Sequence, residues 1–424
     1  MLCVCATGGG KSFIFMSMCE QAAKKGKVLV LAHRDELVTQ HKDNFRRNAI
    51  STKNIIVATV QSVYRHLDKY DGIYMVVADE AHLFKARTFE YVINHFRSKG
   101  AFTVGFTATP VRLDGSSMRS IFESMVVGPG TKELIEMKCL APYTYLCPST
   151  ADVTGLRKRA GDYAVEDIEA IMDRKIYGDA IREYSERCGG QQGIAFCCSI
   201  KHSEELAQQF RDAGIPAAHL DGNTPKKERR RLMAAFRAGE IKVLTNVNLF
   251  AEGISVDGIS VVMMLRPTLS LSLYLQMIGR GLRYEPGKVC TILDFVRNVH
   301  NHGLPDMERE WSLDGAKKAH SEFNEDGTLA LRQCLYCYKV FKTANRCPFC
   351  GAEVEPTRRE LEQIEEIRLK EIRAEELRRE EERKAKVAQD IRNARSRADF
   401  EAIAKANGYN SAWVHIRCKL RNYK

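Results

Sequence analysis

Two series of short, unbroken apolar runs, separated by segments of helical pattern, constrain the fold of this 424-residue chain. Parallel strands that are covered on both faces need such runs, because neither face of the strand meets water. We therefore predict an α/β fold with two doubly wound parallel-sheet lobes and a cleft between them. The predicted strands are 2–5, 28–32, 55–59, 75–79 and 102–108 in the first lobe, and 193–198, 217–220, 242–247, 261–265 and 290–295 in the second.

Composition and charge narrow the class of protein. No apolar run approaches the roughly 20 residues that a membrane-spanning helix needs, and no signal peptide pattern opens the chain. The 14 cysteines are scattered, some as neighbours such as Cys197 and Cys198, which favours a reducing compartment over a disulfide framework. We therefore expect a cytoplasmic protein. The net charge of +11 favours a polyanionic partner.

A glycine-rich loop with the sequence CATGGGKS joins the first predicted strand to the first helix. Consecutive glycines let the backbone turn its N–H groups onto phosphate oxygens without Cβ clashes. Lys11 supplies a mobile positive charge for the β- and γ-phosphates, and the Ser12 hydroxyl can ligate Mg²⁺. The dipole of the following helix favours an anion at the same place. The residues predicted to bind ATP here are Thr7, Gly8, Gly9, Gly10, Lys11 and Ser12.

Two acidic residues, Asp79 and Glu80, end the strand MVVAD of the first lobe. The carboxyl end of a parallel strand is where ligands of such sheets bind. We expect Asp79 to hold Mg²⁺ through water and Glu80 to polarise the attacking water as general base. On their own, two acidic residues at a strand end indicate only a solvated surface. Following a phosphate loop, they predict nucleotide hydrolysis.

The segment SLYLQMIGRGLR of the second lobe spaces Gln276, Arg280 and Arg283 by four and three residues. On a helix this spacing puts the three side chains on one face. Guanidinium groups presented there can stabilise charge on a γ-phosphate held by the opposite lobe. The alternative from the residues alone is an ordinary basic face that makes surface ion pairs.

Two C-x-x-C pairs, Cys334/Cys337 and Cys347/Cys350, are separated by nine residues. Four thiolates in this arrangement match tetrahedral Zn²⁺, and a segment this short needs such a staple to fold. We predict a structural zinc site, because no histidine or water position is present. Redox C-x-x-C chemistry is the alternative, but two such pairs outside a βαβ unit argue against it.

Five segments of the first lobe, taken in order, resemble the motifs of superfamily 2 helicases of the DEAD/DEAH type. In the second lobe, QMIGRGLR resembles the last motif of these helicases and VLTNVNLFAEGISVDG the preceding one. The resemblance implies two RecA-like lobes that hydrolyse ATP with Mg²⁺ and bind nucleic acid. The five segments are ATGGGKS (6–12), AHRDELVTQ (32–40), TVQS (59–62), DEAH (79–82) and FTATPVRLDG (106–115).

The same resemblance implies roles for further residues. A basic residue just past a strand, such as Arg34, suits a nucleic-acid phosphate. The residues implied to contact the nucleic-acid backbone are Arg34, Thr59, Gln61, Ser62 and Thr245. Those implied to couple nucleotide state to strand contacts are His82, Thr107 and Thr109, and those implied to contact ATP from the second lobe are Glu252 and Gly253.

The chain departs from the helicase pattern at several positions. Asn248 stands where relatives commonly have Asp, Ser255 replaces an Asp, and Asp257 falls where Pro is usual. We expect these changes to weaken coupling between hydrolysis and movement. No helix and Gln-containing segment for adenine precedes the loop. Either the biological start lies upstream, or the nucleotide is held mainly through its phosphates.

Across residues 1 to about 350, the chain resembles bacterial RadD-type helicases and their phage relatives, a family associated with DNA repair and recombination. The supporting segments are GISV, LRPTLSLSLYLQMIGRGLR, LDFVRNVHNHG and the four-Cys unit. The resemblance implies an ATP-dependent helicase or translocase that acts on DNA rather than RNA in repair, recombination or replication. Two alternatives stay open: a nucleic-acid-binding accessory protein with little or no ATPase activity, and a motor that remodels DNA without unwinding it.

A charged segment without Gly or Pro, residues 357–407, follows the four-Cys unit. We predict a long exposed helix or short coiled coil, with a solvated spacer as the alternative. The basic tail around Trp413 forms a candidate docking helix for protein partners. The predicted domains are a first lobe (1–140), an interlobe connection (141–178), a second lobe (179–303), a zinc unit (330–353), the charged helix (357–407) and the basic tail (408–424).

Overall fold

The computed structural model describes two units of the chain, Met1–Ala352 and Glu353–Lys424. The first unit holds two parallel sheets with their helices and two small antiparallel ribbons. The second unit is helical over most of residues 382–421, the larger part of it that the structure describes. The described residues are 1–84, 86–111, 117–148, 156–159, 162–171, 174–247, 258–314, 331–342, 344, 346–354 and 382–421.

The first lobe is a six-stranded parallel sheet in the order β3-β2-β4-β5-β1-β6. Its strands are β1 (Leu2–Val4), β2 (Lys27–Ala32), β3 (Ile55–Thr59), β4 (Ile73–Ala78), β5 (Phe102–Thr107) and β6 (Met125–Val127). Its helices are α1 (Lys11–Ala23), α2 (Asp35–Arg47), α3 (Val60–Arg65), α4 (Ala86–Ser98) and α5 (Thr131–Glu136), with short 3₁₀ turns at Leu67–Lys69 and Ala81–Leu83.

Alternating side chains explain why both faces of this sheet are covered. In β2, Val28 and Val30 pack with residues of α1 and α2, whereas Leu29 and Leu31 pack with residues of α3 and α4. Because every position of the strand is buried on one face or the other, the run must be apolar throughout. The strands predicted for this lobe are therefore confirmed.

The second lobe is also a six-stranded parallel sheet, with the strand order β11-β12-β10-β13-β14-β7. Its strands are β7 (Tyr143–Leu146), β10 (Gly193–Phe196), β11 (Ala217–Leu220), β12 (Val243–Asn246), β13 (Val261–Met264) and β14 (Cys290–Asp294), and a separate two-stranded ribbon joins β8 (Lys158–Arg159) to β9 (Asp162–Tyr163). Its helices are α6 (Val165–Ile171), α7 (Arg174–Arg187), α8 (Ile200–Asp212), α9 (Lys226–Arg237), α10 (Leu271–Gly279) and α11 (Asn298–His302).

Part of the segment expected to connect the lobes belongs to the second lobe itself. Strand β7 pairs in parallel with β14 at the edge of the second sheet. The Tyr145 hydroxyl donates to Asp294 Oδ2 at 2.8 Å, and Leu146 packs in the core of this lobe. Both faces of β7 are covered at its carboxyl end, because the neighbouring residues Tyr145 and Leu146 are buried in two different core clusters.

After the second lobe, the chain returns to the first. Leu313 lies in the first-lobe core beside α3 and α4 and is 5% exposed. The Met118 N–H donates to the Leu313 carbonyl at 2.8 Å. Arg119 binds the Asp314 carboxylate through two nitrogens, Nε to Oδ1 at 3.0 Å and Nη2 to Oδ2 at 2.8 Å. This return segment (residues 304–314) therefore ties the end of the second lobe to the first.

The four-Cys unit is built on a hairpin of β15 (Leu331–Gln333) and β16 (Val340–Lys342). It is fixed to the edge of the second sheet. The Cys147 N–H, just after β7, donates to the Tyr338 carbonyl at 2.9 Å, and Leu146 pairs with Lys339 in an isolated antiparallel bridge. The unit thereby covers part of an edge strand that would otherwise present open backbone groups.

The second unit is described from residue 382 onward, so most of the predicted charged helix lies outside the described residues. Residues 382–393 are helical (α12), followed by α13 (Arg397–Asn407) and α14 (Ser411–Leu420). The break before α13 differs from the single helix expected over 357–407. Its cause is local: Ser396 and Asp399 form a capping box that starts a new helix. Among the described residues, no helix is long and apolar enough to cross a bilayer.

Candidate functional site

The phosphate loop has the backbone that its glycines predict. Gly8 and Gly10 have φ values of 82° and 81°, in the left-handed region that glycine favours. A Cβ on Gly9 would lie 2.8 Å from Leu134 Cδ1. Helix α1 begins after Gly10 with no side-chain cap, so its first N–H groups are directed at the loop. This arrangement suits an anion.

Three charged groups meet beside the loop. The Lys11 ammonium lies 3.2 Å from Asp79 Oδ1 and hydrogen-bonds Glu80 Oε1. Burial disfavours the charge on Lys11, but the two carboxylates outweigh it and raise the pKa of the ammonium above its ordinary value. Burial likewise disfavours the charge on Asp79, and Lys11 with His41 overcomes it, which holds the pKa of Asp79 below its usual range. Lys11 and Asp79 are therefore both charged at neutral pH.

The backbone at Glu80 is strained. Its φ of 48° lies in the left-handed region, which a residue with a Cβ adopts at a cost. The Glu80 N–H donates to Asp79 Oδ1 at 3.0 Å, which stabilises the turn. The consequence is that the Glu80 carboxylate faces Lys11 on one side and lies 3.6 Å from His82 Nδ1 on the other.

His82 connects the lobes through a chain of hydrogen bonds. Thr107 Oγ1 donates to the Thr109 carbonyl at 2.7 Å, so it must accept at 2.8 Å from Nδ1–H of His82. His82 Nε2 is then free to accept from the Ser272 hydroxyl of α10, also at 2.8 Å. Burial lowers the pKa of His82 to about 4, which keeps the ring neutral and this tautomer in place.

The second lobe supplies the opposite wall from α10 and the turn after it. Gln276 is buried, and Arg280 is partly buried next to Arg283. Burial lowers the pKa of Arg280 to about 10, with the nearby Arg283 acting in the same direction and Glu80 opposing both. The Ser272 hydroxyl of α10 lies 2.8 Å from His82 Nε2, so residues from the two lobes share one site.

The two walls touch at a glycine. A Cβ on Gly279 would lie 2.3 Å from Thr7 Cγ2, so a side chain at this position would clash with the phosphate loop. Only glycine lets the end of α10 approach Thr7 this closely. The predicted residues of the phosphate loop, the Asp79-Glu80 turn and the Thr107-Thr109 segment are thus brought together with Gln276 of α10. Arg280 and Arg283 lie just after the end of α10 and not on the single helix that the spacing predicts.

Comparison with known proteins assigns the chain to a family. The family described as "Type III restriction enzyme, res subunit" matches residues 1–112, and "Helicase conserved C-terminal domain" matches residues 177–285. The "51.5 kDa protein" of Lactococcus phage (isolate 7-9) is 34% identical over 368 residues, which cover 85% of this chain and 80% of the phage protein. The chain belongs to superfamily 2 of the helicases. It is an ATP-hydrolysing enzyme of helicase type.

Other proteins are similar over less of their length. A Saccharomyces cerevisiae protein named as ATP-dependent helicase IRC3 is 30% identical over 69% of this chain, which spans only 47% of the yeast protein. An HsdR subunit fragment of a Vibrio vulnificus type I restriction enzyme superposes with a TM-score of 0.54 at 21% identity, covering 72% of this chain and 63% of the other. This superposition supports the two-lobed fold. The narrower likeness to RadD-type helicases stays a prediction.

The residues of this superfamily 2 helicase expected to contact nucleic acid fall into two groups. Arg34, Gln61 and Ser62 are exposed just past the carboxyl ends of β2 and β3, which are neighbours in the sheet. Thr59 has a local structural role as well, because its hydroxyl accepts from the Ser62 N–H at 3.3 Å and caps α3. These four residues form one surface of the first lobe.

Thr245 lies apart from this surface, and its contact with nucleic acid stays a prediction. It is fully buried in β12. Its hydroxyl donates to the Ser203 carbonyl at 2.7 Å and accepts from the Ser203 hydroxyl at 2.9 Å. Because these bonds occupy a side chain that has no access to solvent, Thr245 supports the fold of the second lobe. Glu252 and Gly253, which were expected to contact ATP, lie outside the described residues.

The four cysteines Cys334, Cys337, Cys347 and Cys350 converge, and their sulfur atoms all lie within 4.8 Å of one another. Two of the sulfur-sulfur distances are 3.5 Å and 3.7 Å. A tetrahedral site with Zn–S bonds of about 2.3 Å has edges of about 3.8 Å, so the cluster has the size that Zn²⁺ needs. Backbone N–H groups of Tyr336 and Cys337 point at Cys334 Sγ at 3.4 Å and 3.5 Å, which suits a thiolate.

Two site residues were missed by sequence reasoning. His41 Nε2 lies 3.1 Å from Asp79 Oδ2, and the ring is held edge-on by Phe15 at a centroid distance of 5.0 Å. Ser272 completes the hydrogen-bond chain of His82. His41 stands one residue past the segment that resembles a helicase motif, and Ser272 opens the segment of the last motif. Neither residue type carries a chemical signal on its own at these positions.

We predict that the free energy of unfolding of His82→Gln depends less on pH than that of the wild type. The pKa of buried His82, about 4, lies below the ordinary value of 6.5, so the unfolded chain binds more protons between these pH values. The stability that neutral His82 contributes is present above pH 6.5 and is lost as the pH falls through 4. The stability difference between wild type and variant, measured by urea unfolding, should therefore narrow from pH 7 to pH 4.5.

The exposed His66→Gln serves as the matched control, and its difference from wild type should not narrow in this way. A constant difference for His82→Gln across the same pH range would contradict the assignment of a neutral, buried ring.

Proposed function

We propose that this chain is an ATP-dependent DNA helicase or translocase that acts in DNA repair, recombination or replication. The observation that carries the proposal is the catalytic centre shared between the lobes. Gly279 lets the last motif approach the phosphate loop at Thr7, and the Ser272 hydroxyl of the second lobe bonds His82 of the first at 2.8 Å. A cleft of this kind can couple a change at the nucleotide to a movement of one lobe against the other.

The ion cluster explains how nucleotide binding prepares the site. Lys11 is held by Asp79 and Glu80. The γ-phosphate of ATP competes for the same ammonium, and when Lys11 turns to it, the Glu80 carboxylate is released to orient and deprotonate a water. Arg280 and Arg283 then face the charge that develops on the phosphate.

Magnesium fits the donors that remain. Asp79 is ionised because Lys11 and His41 lower its pKa, and the Ser12 hydroxyl lies at the start of α1. Carboxylate and hydroxyl oxygens are the ligands that Mg²⁺ prefers. When bound, the ion neutralises charge on the β- and γ-phosphates.

The hydrogen-bond chain through His82 supports a role in coupling. Thr107 and Thr109 lie on the first lobe, and Ser272 lies on the second. A rotation of α10 breaks the Ser272–His82 bond before it disturbs anything else in this chain of contacts. His82 lies next to Glu80, so a change in lobe contact reaches the general base directly.

Several observations support DNA as the partner. The net charge is +11, and the surface with Arg34, Gln61 and Ser62 is polar and exposed. A structure titled "ATP-dependent Type ISP restriction-modification enzyme LlaBIII bound to DNA" superposes with a TM-score of 0.51 at 17% identity, covering 69% of this chain and 26% of that one.

None of the fourteen cysteines forms a disulfide, which fits the cytoplasm of a bacterium or a phage-infected cell.

We predict that Glu80→Gln abolishes steady-state ATP hydrolysis but retains ATP binding. The amide keeps the size of the side chain and loses the base, whereas Lys11→Ala should lose binding as well, because it removes the charge that meets the phosphates. Hydrolysis is measured with and without single-stranded DNA, which should stimulate the wild type.

The matched control is Glu123→Gln, an exposed carboxylate of the same lobe, which should hydrolyse ATP like the wild type. A Glu80→Gln variant with wild-type turnover would show that Glu80 is not the base. If DNA does not stimulate ATP hydrolysis by the wild type, the proposed motor function is wrong.

We also propose that the four-Cys cluster binds one structural Zn²⁺. We predict that Cys347→Ser releases the metal, measured by mass spectrometry of the purified protein, and leaves basal ATP hydrolysis largely intact, because the cluster contains no residue of the ATP site. Cys139→Ser changes an exposed cysteine outside the cluster and should retain the metal. Wild-type protein without zinc would refute the site.

A further inference from the structure

The two loops of the four-Cys unit expose large apolar side chains. These knuckle loops (residues 334–337 and 347–350) close on the same sulfur cluster. Tyr336 is 76% exposed and Phe349 is 55% exposed, one on each loop. A domain this small ordinarily buries its few aromatic rings, since each ring is worth much of the available core. Their exposure therefore points to a binding function.

A cation accompanies these rings. The Lys339 ammonium lies 4.4 Å from the centroid of the Phe349 ring, over its face. The segment 334–354 contains Lys339, Lys342 and Arg346 but only one carboxylate, Glu353. Of the four cysteines, Cys334 and Cys347 are buried, Cys337 is half-buried and Cys350 is exposed. The accessible residues of the unit thus include aromatic rings and a cation that contacts one of them.

The unit is held firmly on the second lobe. The Tyr338 carbonyl accepts from the Cys147 N–H at 2.9 Å, and the Arg187 guanidinium of α7 lies 5.2 Å from the Tyr338 ring centroid. One tyrosine of the first knuckle region is therefore used to attach the unit, whereas Tyr336 faces solvent. The attachment lies at the carboxyl end of β7, the side of a parallel sheet where ligands bind.

We propose that the knuckle loops form a stacking platform for single-stranded DNA, on which unpaired bases pack against Tyr336 and Phe349 while Lys339 pairs with the backbone phosphates. Base-aromatic stacking next to a cationic groove is how single strands are held without sequence preference. The proposal rests on the motor function above and adds a second contact for the strand, outside the ATP cleft.

The chemistry favours a single strand over a protein partner. A protein docking on Leu335, Tyr336 and Phe349 would also have to bring a carboxylate to the Lys339 ammonium, since burying that charge unpaired is costly. A single strand carries a phosphate at every nucleotide, so each base that stacks brings the opposite charge with it. Duplex DNA fits less well, because its bases are already stacked and present no free faces to the rings.

The experiment measures the affinity of the full-length chain for fluorescent oligothymidylate and for a duplex of equal length. Tyr336→Ala should weaken single-strand binding by about tenfold or more, the usual effect of losing one stacked base. Tyr336→Phe keeps the ring and should bind like the wild type. Leu335→Ala is the matched control, since Leu335 is 70% exposed on the same loop but cannot stack.

Zinc content and basal ATP hydrolysis should be unchanged in all three variants, which separates loss of the platform from loss of the fold. If Tyr336→Ala loses zinc, the affinity for the single strand is measured instead with Phe349→Ala, which removes the other proposed stacking ring.

Wild-type single-strand affinity in Tyr336→Ala, or an equal loss for Leu335→Ala or for the duplex, would overturn the platform. If DNA still stimulates hydrolysis in that case, the motor function stands and only the platform fails. If the wild type neither binds single strands nor responds to them, both proposals fail.

Discussion

The site of this helicase depends on the contacts of Lys11 with Asp79 and Glu80, of which Asp79 is buried and the other two are partly exposed. Removing Lys11 would take from Asp79 its ion-pair partner, and an uncompensated buried charge typically costs several kcal/mol. The loop, the end of β4 and the strained turn at Glu80 are therefore held in register by the same contacts. A phosphate that enters the loop must compete for Lys11, so binding and rearrangement of the site are one event.

The site also depends on the contacts between the two lobes. Gly279 is seated on Thr7, His82 bonds Ser272, and the return segment places Leu313 in the core of the first lobe. The first two contacts are small and specific, which suits contacts that are made and broken. The third is a buried apolar anchor, which suits a permanent tether. Movement between the lobes is thereby confined to what the tether allows.

The sequence predicts a structural feature when that feature requires particular residue types. Doubly buried strands must be apolar, and a phosphate loop needs glycine and lysine, so the sheets and the loop were predictable. The burial of Thr245 and the contact of His41 with Asp79 were not, because they depend on which helix covers which strand. Strand β7 was missed because it is only four residues long and only its last two residues are buried. Glu252 and Gly253 stay predictions.

The central claim is that one catalytic centre is assembled from both lobes, and the most direct test is ATP turnover by Arg280→Ala. Arg280 belongs to the second lobe, yet the account predicts a loss of about 10³-fold in turnover with ATP binding retained, as for an arginine finger. Arg231→Ala, an exposed arginine of the same lobe, should turn over ATP normally. Near-wild-type turnover by Arg280→Ala would contradict the shared centre.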